Sequence, residues 1–215
     1  MELHIRQASI SDLPYINEIC LKTGLGGNDA SESVSDKHII AQYFATPYLY
    51  FEIDSCFVLE NKSAPVGYIL GVKSTIRFNH WMNKAWLPDV RKLYPASMKS
   101  ISNFEKFLID LIHKDCNLPD FLNDYPSHLH IDLLPIAQQK GYGKKLIMTF
   151  ISNLKASGSS GLHLAVGIKN KSAIAFYKAI GFEVLKKESK SLFMGLSFDM
   201  LDKSKPTNNI KSIKC

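Results

Sequence analysis

Hydrophobic and polar positions along this chain switch repeatedly between the two-residue period of a strand and the 3.6-residue period of a helix. The segment LHIRQA alternates like a strand, and the next one, SDLPYINEICLKTG, places apolar residues along one helical face up to Gly24. Residues 24–36 are small and polar, which is typical of a loop, and KHIIAQYFA then predicts a short helix. The chain is expected to begin as strand, helix, loop and helix.

A hairpin followed by an irregular insertion is predicted in the middle of the chain. YLYFEIDSCFVLE and VGYILGVKST are rich in β-branched and aromatic residues, and NKSAP between them supplies turn residues, so we predict two paired strands. Residues 76–127 break this pattern with two tryptophans and several prolines around one clear helix, SNFEKFLIDLIHK. We interpret 76–127 as an insertion over one end of the sheet.

Strands alternate with single helices from HLHIDLLP onward. The order is strand HLHIDLLP, helix GKKLIMTFISNLKAS, strand GLHLAVGI, helix KSAIAFYKAI, and strands FEVLKKE and SLFMGLSF. This alternation predicts an α/β sheet that is parallel at least in part. We expect one domain over residues 1–200, followed by a basic, disordered tail over 201–215.

Composition narrows the class of protein. The chain has 215 residues, 46% of them hydrophobic, which is enough to bury one sizeable core. Apolar runs stay shorter than the roughly 20 residues of a membrane-spanning helix, and the first residues lack the order of a secretory signal, so we expect a soluble cytoplasmic or nuclear protein. The four cysteines are far apart and predict free thiols. Much of the net charge of +6 lies in the tail, so neither a specific nucleic acid nor a membrane is expected as a partner.

The junction between strand HLHIDLLP and the following helix carries a chemical signal. Its residues are Gln138, Gln139, Lys140, Gly141, Tyr142, Gly143 and Lys144. Glycines at such a turn let the backbone approach a ligand, and the first amides of the helix have no carbonyl partners, so a pyrophosphate would fit there. The P-loop and dinucleotide fingerprints fail, because position 138 is Gln and position 146 is Leu. On these residues alone, a turn without a ligand stays the simpler interpretation.

Two motifs resemble those of the GCN5-related N-acetyltransferase superfamily. Gln138-x-x-Gly141-x-Gly143 resembles its Q/R-x-x-G-x-G/A turn, and NKSAIAFYKAIGF resembles its second signature. TGLGGNDAS, VGYILG and the tryptophans of the insertion resemble the branch related to the C-terminal acetyltransferase-like domain of O-GlcNAcases. The resemblance implies an α/β (α+β) fold, with a mixed central sheet of about seven strands flanked by helices and a helical insertion between the third and fourth strands.

The resemblance also implies acetyl-coenzyme A as cosubstrate and assigns residues to it. Those residues are the backbone of Leu133 and Leu134, the turn Gln138, Gln139, Lys140, Gly141, Tyr142, Gly143 and Lys144, and Asn170, Phe176 and Tyr177. Tyr177 takes the place of the tyrosine that protonates the coenzyme A thiolate, a role that suits a phenol of pKa about 10. From the sequence alone, Tyr177 also fits a buried helix face and Asn170 also fits a helix N-cap.

The alternation of the strand HLHIDLLP yields candidate bases. His128, His130 and Asp132 point to one side of it. Asp132 is the first candidate for a base or amine anchor and His130 is the second, although ordinary polar residues are an equal alternative. The three also resemble the H-x-H-x-D-H motif of metallo-β-lactamase-like hydrolases. Because position 133 is Leu and the strand leads into the glycine turn, we expect no metal.

We therefore expect an acetyl-coenzyme A-dependent N-acetyltransferase that acts on an amine acceptor, a small molecule or a peptide lysine, by direct attack. A non-catalytic module that binds acetyl-coenzyme A or a partner protein is the alternative, and a zinc hydrolase is a distant third. The loop from Gly24 to Asp29 is a candidate acceptor lip. Five aromatic residues either line an acceptor pocket or belong to the core: Tyr43, Tyr48, Tyr50, Trp81 and Trp86.

Overall fold

One mixed sheet of seven strands forms the centre of the molecule in a computed structural model that describes residues 3–62, 64–114 and 118–203. The strands are β1 (His4–Gln7), β2 (Cys56–Glu60), β3 (Pro65–Val72), β4 (Ser127–Leu133), β5 (Gly161–Gly167), β6 (Glu183–Lys187) and β7 (Ser191–Ser197). Their order is β1-β2-β3-β4-β5-β7-β6, and every neighbouring pair is antiparallel except β4 with β5. The predicted mixed sheet of about seven strands is confirmed.

Helices cover both faces of this sheet. Within the described residues they are α1 (Leu13–Thr23), α2 (Ala41–Phe44), α3 (Thr46–Glu52), α4 (Thr75–Trp81), α5 (Leu87–Leu93), α6 (Asn103–His113), α7 (Tyr142–Ala156), α8 (Lys171–Ile180) and α9 (Phe198–Lys203). Helices α4 to α6 lie between β3 and β4 in the chain, which confirms the predicted helical insertion between the third and fourth strands.

The alternation of side chains along β3 and β4 divides the core into two parts. Tyr68 and Leu70 of β3 pack with α1 to α6 on one face. Ile69 of β3 and Leu129 of β4 pack with α7 and α8 on the other face. Because the period of a strand is two, residues that follow each other in β4 serve opposite cores. Burial of apolar surface on both faces explains why β3 is buried along its whole length.

The prediction of a single strand over YLYFEIDSCFVLE is wrong in its first half. Residues 46–52 form α3, and β2 begins only at Cys56. Pro47 lies in the first turn of α3, where its missing amide costs no hydrogen bond. Tyr48 is buried and stacks on Phe78 at 4.5 Å, whereas Tyr50 is 56% exposed. Tertiary packing has therefore overridden the β-propensity of these aromatic residues.

The insertion contains more helix than the single segment predicted from the sequence. Besides α6 it holds α4, a π-helical segment (Met82–Trp86) and α5, whose first turn accommodates Pro88. Trp81 and Trp86 stack at 5.8 Å, and the Trp86 indole donates a hydrogen bond to the Gln42 carbonyl at 2.8 Å. Prolines in the sequence concealed these short helices because they occur at helix starts.

The structure also bears on the predictions made for the cysteines, the tail and membrane-spanning helices. Cys20 and Cys56 are buried free thiols, as predicted, whereas Cys116 and Cys215 lie outside the described residues. Helix α9 includes the first three residues of the predicted tail, and the rest of that tail lies outside the described residues. Within the described part of the chain, we find no helix with both the length and the apolar character needed to cross a membrane.

Gly71 of β3 provides a test of the packing between the sheet and α7. A Cβ atom there would lie 2.5 Å from the His128 carbonyl oxygen and would overlap the Phe150 ring. We expect Gly71→Ala to lower the free energy of unfolding by about 2 kcal/mol, measured by chemical denaturation. Gly167→Ala in β5 is the control, because a Cβ there meets no atom within 4 Å. Equal stability of the two variants would contradict this packing.

Candidate active site

The parallel pairing between β4 and β5 is very short. Only Ser127 with Leu162 and His128 with His163 are paired, although both strands continue for several residues. Beyond His128, β4 stays paired to β3 on its other side as far as Leu133. The sheet therefore opens between β4 and β5 toward the carboxyl end of β4, and we call this opening the β4–β5 gap.

Successive residues of β4 direct their backbone N–H and C=O groups alternately toward β3 and toward the gap. The Leu134 amide donates to the Val66 carbonyl at 2.9 Å, so its hydrogen-bonding side faces β3. By the alternation of an antiparallel ladder, the N–H and C=O groups of Leu133 and Ile131 face the gap. The Leu134 carbonyl accepts from Ala137 at 2.8 Å, so both backbone groups of Leu134 have partners within the chain. Of the two leucines predicted to bind the cosubstrate, Leu133 faces the gap and Leu134 does not.

The glycine turn lies directly after β4 and starts α7. Gln139 has φ 57° and Gly141 has φ 80°, so two residues of the turn are left-handed. Gly141 is the N-cap of α7, with no side-chain hydrogen bond to the cap and no acid in the first turn. The amides of Tyr142, Gly143 and Lys144 therefore lack intrahelical partners and carry the positive end of the helix dipole. Such a turn forms a concave site for an anion.

The other predicted side chains of the turn mostly contact the turn itself. The Gln138 amide donates to the Pro135 carbonyl at 3.2 Å, and its side chain donates to the Leu133 carbonyl at 2.8 Å. The Lys140 ammonium donates to the Ile136 carbonyl at 2.9 Å. The hydrogen bonds of Gln138 and Lys140 therefore stabilise the turn against the end of β4.

Glycine is needed at the two positions of the turn for different structural reasons. Gly141 is left-handed, and a Cβ atom added there would meet no atom within 4 Å. Gly143 is helical, and an added Cβ would lie 3.0 Å from the Phe176 ring of α8. Gly141 therefore leaves open space at the mouth of the turn, whereas Gly143 lets α8 pack closely on α7. The sequence had suggested a single reason, approach to a ligand, for both.

Charge is distributed unevenly between the two parts of the chain. Residues 138–202 contain ten lysines and four acidic residues, whereas residues 1–137 contain twelve basic and sixteen acidic residues. Lys144 is exposed in the first turn of α7, and the Lys145 ammonium lies 5.1 Å above the Tyr142 ring. The part of the chain that holds the glycine turn is thus positively charged, which favours an anionic ligand.

Tyr177 lies in α8 and packs with the core on the α7 side of the sheet. Its ring contacts Phe176 at 5.4 Å and Phe182 at 5.5 Å. Burial raises the pKa of Tyr177, and the charge of Asp132 raises that pKa further. The hydroxyl donates no hydrogen bond to any residue in the described part of the chain. Tyr177 is therefore protonated at neutral pH and available as a donor.

Asp132 lies on the opposite face of the sheet, directly across from Tyr68 of β3. The Tyr68 hydroxyl donates to Oδ2 of Asp132 at 2.6 Å. Burial raises the pKa of Asp132 to about 6, although the hydrogen bond from Tyr68 lowers it. Because the charge of Asp132 acts on Tyr177, the two groups lie within electrostatic reach of each other although they belong to different faces. Sequence reasoning missed Tyr68, whose place opposite Asp132 depends on the strand register.

The two histidines of β4 have different surroundings. Thr75 donates to the Pro126 carbonyl and therefore accepts from Nδ1 of His128, while Nε2 of His128 accepts from the Tyr48 hydroxyl, each at 2.8 Å. His130 makes edge contacts with the Phe44 and Tyr48 rings, and burial lowers its pKa to about 4. Both histidines are therefore neutral at physiological pH.

The zinc alternative is not supported by these contacts. Both ring nitrogens of His128 are already used, and an oxygen of Asp132 is bound by Tyr68. Across residues 3–62, 64–114 and 118–203, no three His, Cys, Asp or Glu side chains are grouped closely enough to hold a metal ion. The pattern His128-x-His130-x-Asp132 thus reflects the alternation of β4 rather than a ligand set.

Asn170 connects α8 to the predicted acceptor lip. Its side-chain oxygen accepts from the Ala173 amide at 3.1 Å, so Asn170 forms the N-cap that the sequence had left open. Its amide nitrogen donates to the Gly26 carbonyl at 3.3 Å. This long-range contact, which the sequence did not reveal, places the loop from Gly24 to Asp29 beside the start of α8.

Comparison with known proteins agrees with this geometry. A family model described as FR47-like protein matches residues 123–193, which include the glycine turn and α8. The O-GlcNAcases of Rattus norvegicus and Mus musculus are 29% identical to this chain over 158 residues, which is 72% of this chain. That match spans only 17% of the length of these relatives.

Solved structures show the same architecture. The crystal structure of SsHAT is 32% identical, with a TM-score of 0.85, and the match covers 92% of this chain and 98% of SsHAT. The PaiA N-acetyltransferase of Thermoplasma acidophilum, solved in complex with coenzyme A, is 18% identical with a TM-score of 0.56 and covers 92% of this chain and 100% of its own. From the seven-stranded sheet, the glycine turn and these matches, we conclude that the chain belongs to the GCN5-related N-acetyltransferase superfamily.

Proposed function

We propose that this protein is an acetyl-coenzyme A-dependent N-acetyltransferase that transfers the acetyl group to an amine by direct attack. The observation that carries the proposal is the uncapped glycine turn at the end of the β4–β5 gap, where backbone groups of β4 have no neighbouring strand. Asp132 and Tyr177, which lie within electrostatic reach of each other, are suited to proton transfer and support the proposal.

The residues around the gap fit coenzyme A chemically. The amides of Tyr142, Gly143 and Lys144 would hold the pyrophosphate, because they are unpaired donors at a positive helix end. The gap-facing backbone of Ile131 and the Leu133 amide would pair with the amides of the pantetheine arm, whereas the Leu133 carbonyl already accepts from the Gln138 side chain. Acetyl-coenzyme A would supply an activated acetyl thioester and a thiolate leaving group. The PaiA N-acetyltransferase, which shares this fold, was solved in complex with coenzyme A, and this supports the choice of cosubstrate.

Asp132 is the base in this proposal. A carboxylate whose pKa is about 6 is ionised at neutral pH and is more basic than an exposed carboxylate. It would accept the proton that the amine loses as the nitrogen attacks the acetyl carbon. His130 is the weaker candidate, because burial lowers its pKa to about 4.

Tyr177 is the acid in this proposal. As the new carbon–nitrogen bond forms and the carbon–sulfur bond breaks, the phenol proton would pass to the sulfur. Burial keeps the phenol protonated before the reaction, and its hydroxyl has no competing acceptor among the described residues. A proton is thus taken up by Asp132 on one face of the sheet and released by Tyr177 on the other.

The acceptor would be an amine of a small molecule or a peptide lysine. The face of the sheet that carries Asp132 also carries the partly buried rings of Tyr43 and Phe44 beside His130. The loop from Gly24 to Asp29 reaches α8 through Asn170, so it borders the region in which the two substrates would meet.

The first test is calorimetric titration with acetyl-coenzyme A, followed by an assay of thiol release with a panel of amines. We expect micromolar binding and amine-dependent release of coenzyme A. Binding without release for any amine would favour the non-catalytic module. Absence of binding would contradict the proposed function altogether.

Gly141→Asp tests the pyrophosphate site. Aspartate adds a negative charge beside the unpaired amides and can cap them itself, so we expect binding of acetyl-coenzyme A to fall at least roughly 100-fold in calorimetry. Gly158→Asp is the matched control, because Gly158 is also left-handed, with φ 79° and open space around it, at the other end of α7. Normal binding by Gly141→Asp would show that the turn does not hold the pyrophosphate.

Tyr177→Phe tests the acid. The variant keeps the ring contacts with Phe176 and Phe182 and loses only the hydroxyl. We expect kcat to fall roughly 100-fold while the Kd of acetyl-coenzyme A stays within a factor of two, because general acid catalysis contributes about that much. Unchanged kcat would reduce Tyr177 to a packing residue.

The pH dependence of the reaction tests the base. Because Asp132 must be ionised to accept a proton, kcat/KM expressed per concentration of unprotonated amine should rise tenfold per pH unit below the Asp132 pKa of about 6 and level off above it. Asp132→Asn should remove this limb and most of the activity while acetyl-coenzyme A still binds. A variant with wild-type activity and an unchanged pH profile would exclude Asp132 as the base.

A further inference from the structure

We propose that Tyr68 is a positioning residue that orients the carboxylate of Asp132 and holds it ionised for the reaction. The inference rests on the proposed function, because Tyr68 would act only by way of Asp132, the base of the proposed reaction. Tyr68 itself would touch neither substrate.

The geometry of the pair supports this role. Tyr68 and Asp132 are directly opposite each other on β3 and β4, two central strands, and their side chains share one face. Tyr68 is completely buried, and its hydroxyl donates to Oδ2 of Asp132 at 2.6 Å, a short distance typical of a hydrogen bond to a charged acceptor. The bond occupies Oδ2, and the proton of the amine would then go to Oδ1.

No positive charge in the described part of the chain compensates Asp132. The titratable groups around it are Tyr68 on β3, Cys20 on α1, Tyr177 on α8, and His130 two residues earlier on β4. Burial raises the pKa of the thiol and of both phenols, and it lowers the pKa of the imidazole, so all four groups are neutral near pH 7. Two hydrogen bonds favour the ionised carboxylate over the protonated one: the larger effect on the pKa comes from Tyr68 and the smaller from the Thr23 side chain.

Tyr68 is also restricted to the donor role. Burial raises its pKa well above 10, and the neighbouring charge of Asp132 raises that pKa further. Tyr68 therefore keeps its proton over the whole range in which Asp132 titrates. Because Tyr68 does not titrate in this range, its hydrogen bond has the same effect on the pKa of Asp132 at every pH.

Tyr68→Phe removes this hydrogen bond and keeps the ring. We expect the acid limb of kcat/KM to move upward by roughly one to two pH units, because hydrogen bonds to charged groups are of that strength. The Kd of acetyl-coenzyme A should stay within a factor of two. A titration of ¹³C-labelled aspartate carboxyl groups in the free protein, assigned with Asp132→Asn, should show the same upward shift for Asp132.

Tyr94→Phe is the matched control. Tyr94 is also buried, and its hydroxyl donates to a carboxylate, Oδ2 of Asp36, at 2.7 Å, but this pair joins the insertion to the loop between α1 and α2. Tyr94→Phe therefore also loses a hydrogen bond from a tyrosine to a carboxylate, but one that does not involve Asp132. We expect neither the pH profile nor the carboxyl titration of Asp132 to move.

A second measurement covers the case in which Tyr68→Phe does not fold. Replacing all tyrosines biosynthetically by 3-fluorotyrosine keeps the packing and strengthens the phenol as a donor. The carboxyl titration of Asp132 should then move to lower pH.

The outcomes separate the two proposals. An unmoved titration of Asp132 in Tyr68→Phe, or in the fluorinated protein if that variant does not fold, would overturn the role of Tyr68. If the titration moves as expected but the wild-type protein transfers acetyl to no amine, the hold of Tyr68 on the carboxylate is supported and only the proposed function fails.

Discussion

The early end of the pairing between β4 and β5 is the constraint on which the rest of the site depends. Two adjacent parallel strands would normally satisfy each other's backbone groups along their length. Here the pairing stops after His128, so the backbone of β4 beyond it lacks a neighbouring strand on one side. The fold tolerates this because β3 holds β4 from the other side and β7 holds β5. A gap in a central sheet thus becomes a place for an extended ligand.

In the proposed reaction, the same gap would let groups from opposite faces act together. In a continuous sheet, Asp132 and Tyr177 would be separated by a layer of backbone. Here Asp132 belongs to the face covered by α1 to α6 and Tyr177 to the face covered by α7 and α8, yet the charge of Asp132 acts on Tyr177. Each side chain is held by its own core, so the distance between the proposed base and the proposed acid depends on the packing of both cores.

Sequence reasoning was strongest where a feature is local. The strand-to-helix turn at Gly141, the alternation of β4 and the cap at Asn170 all depend on neighbours in the chain, and the structure shows them where the sequence indicated. It failed for α3 because the burial of Tyr48 is decided by residues distant in sequence. It could not find Tyr68, since pairing with Asp132 requires the register of two strands 64 residues apart. The pairing of Asn170 with Gly26 was hidden for the same reason.

The uneven charge of the chain has a kinetic consequence for the proposed reaction. Coenzyme A is a polyanion, and the basic part of the chain around α7 would attract it from solution before any specific contact forms. The other part, which carries Asp132, is weakly acidic and would instead attract a cationic amine. The long-range electrostatic field would thus draw each substrate toward the part of the chain that has the opposite charge. Added salt shortens the reach of that field, so both association rates would fall as the salt concentration rises.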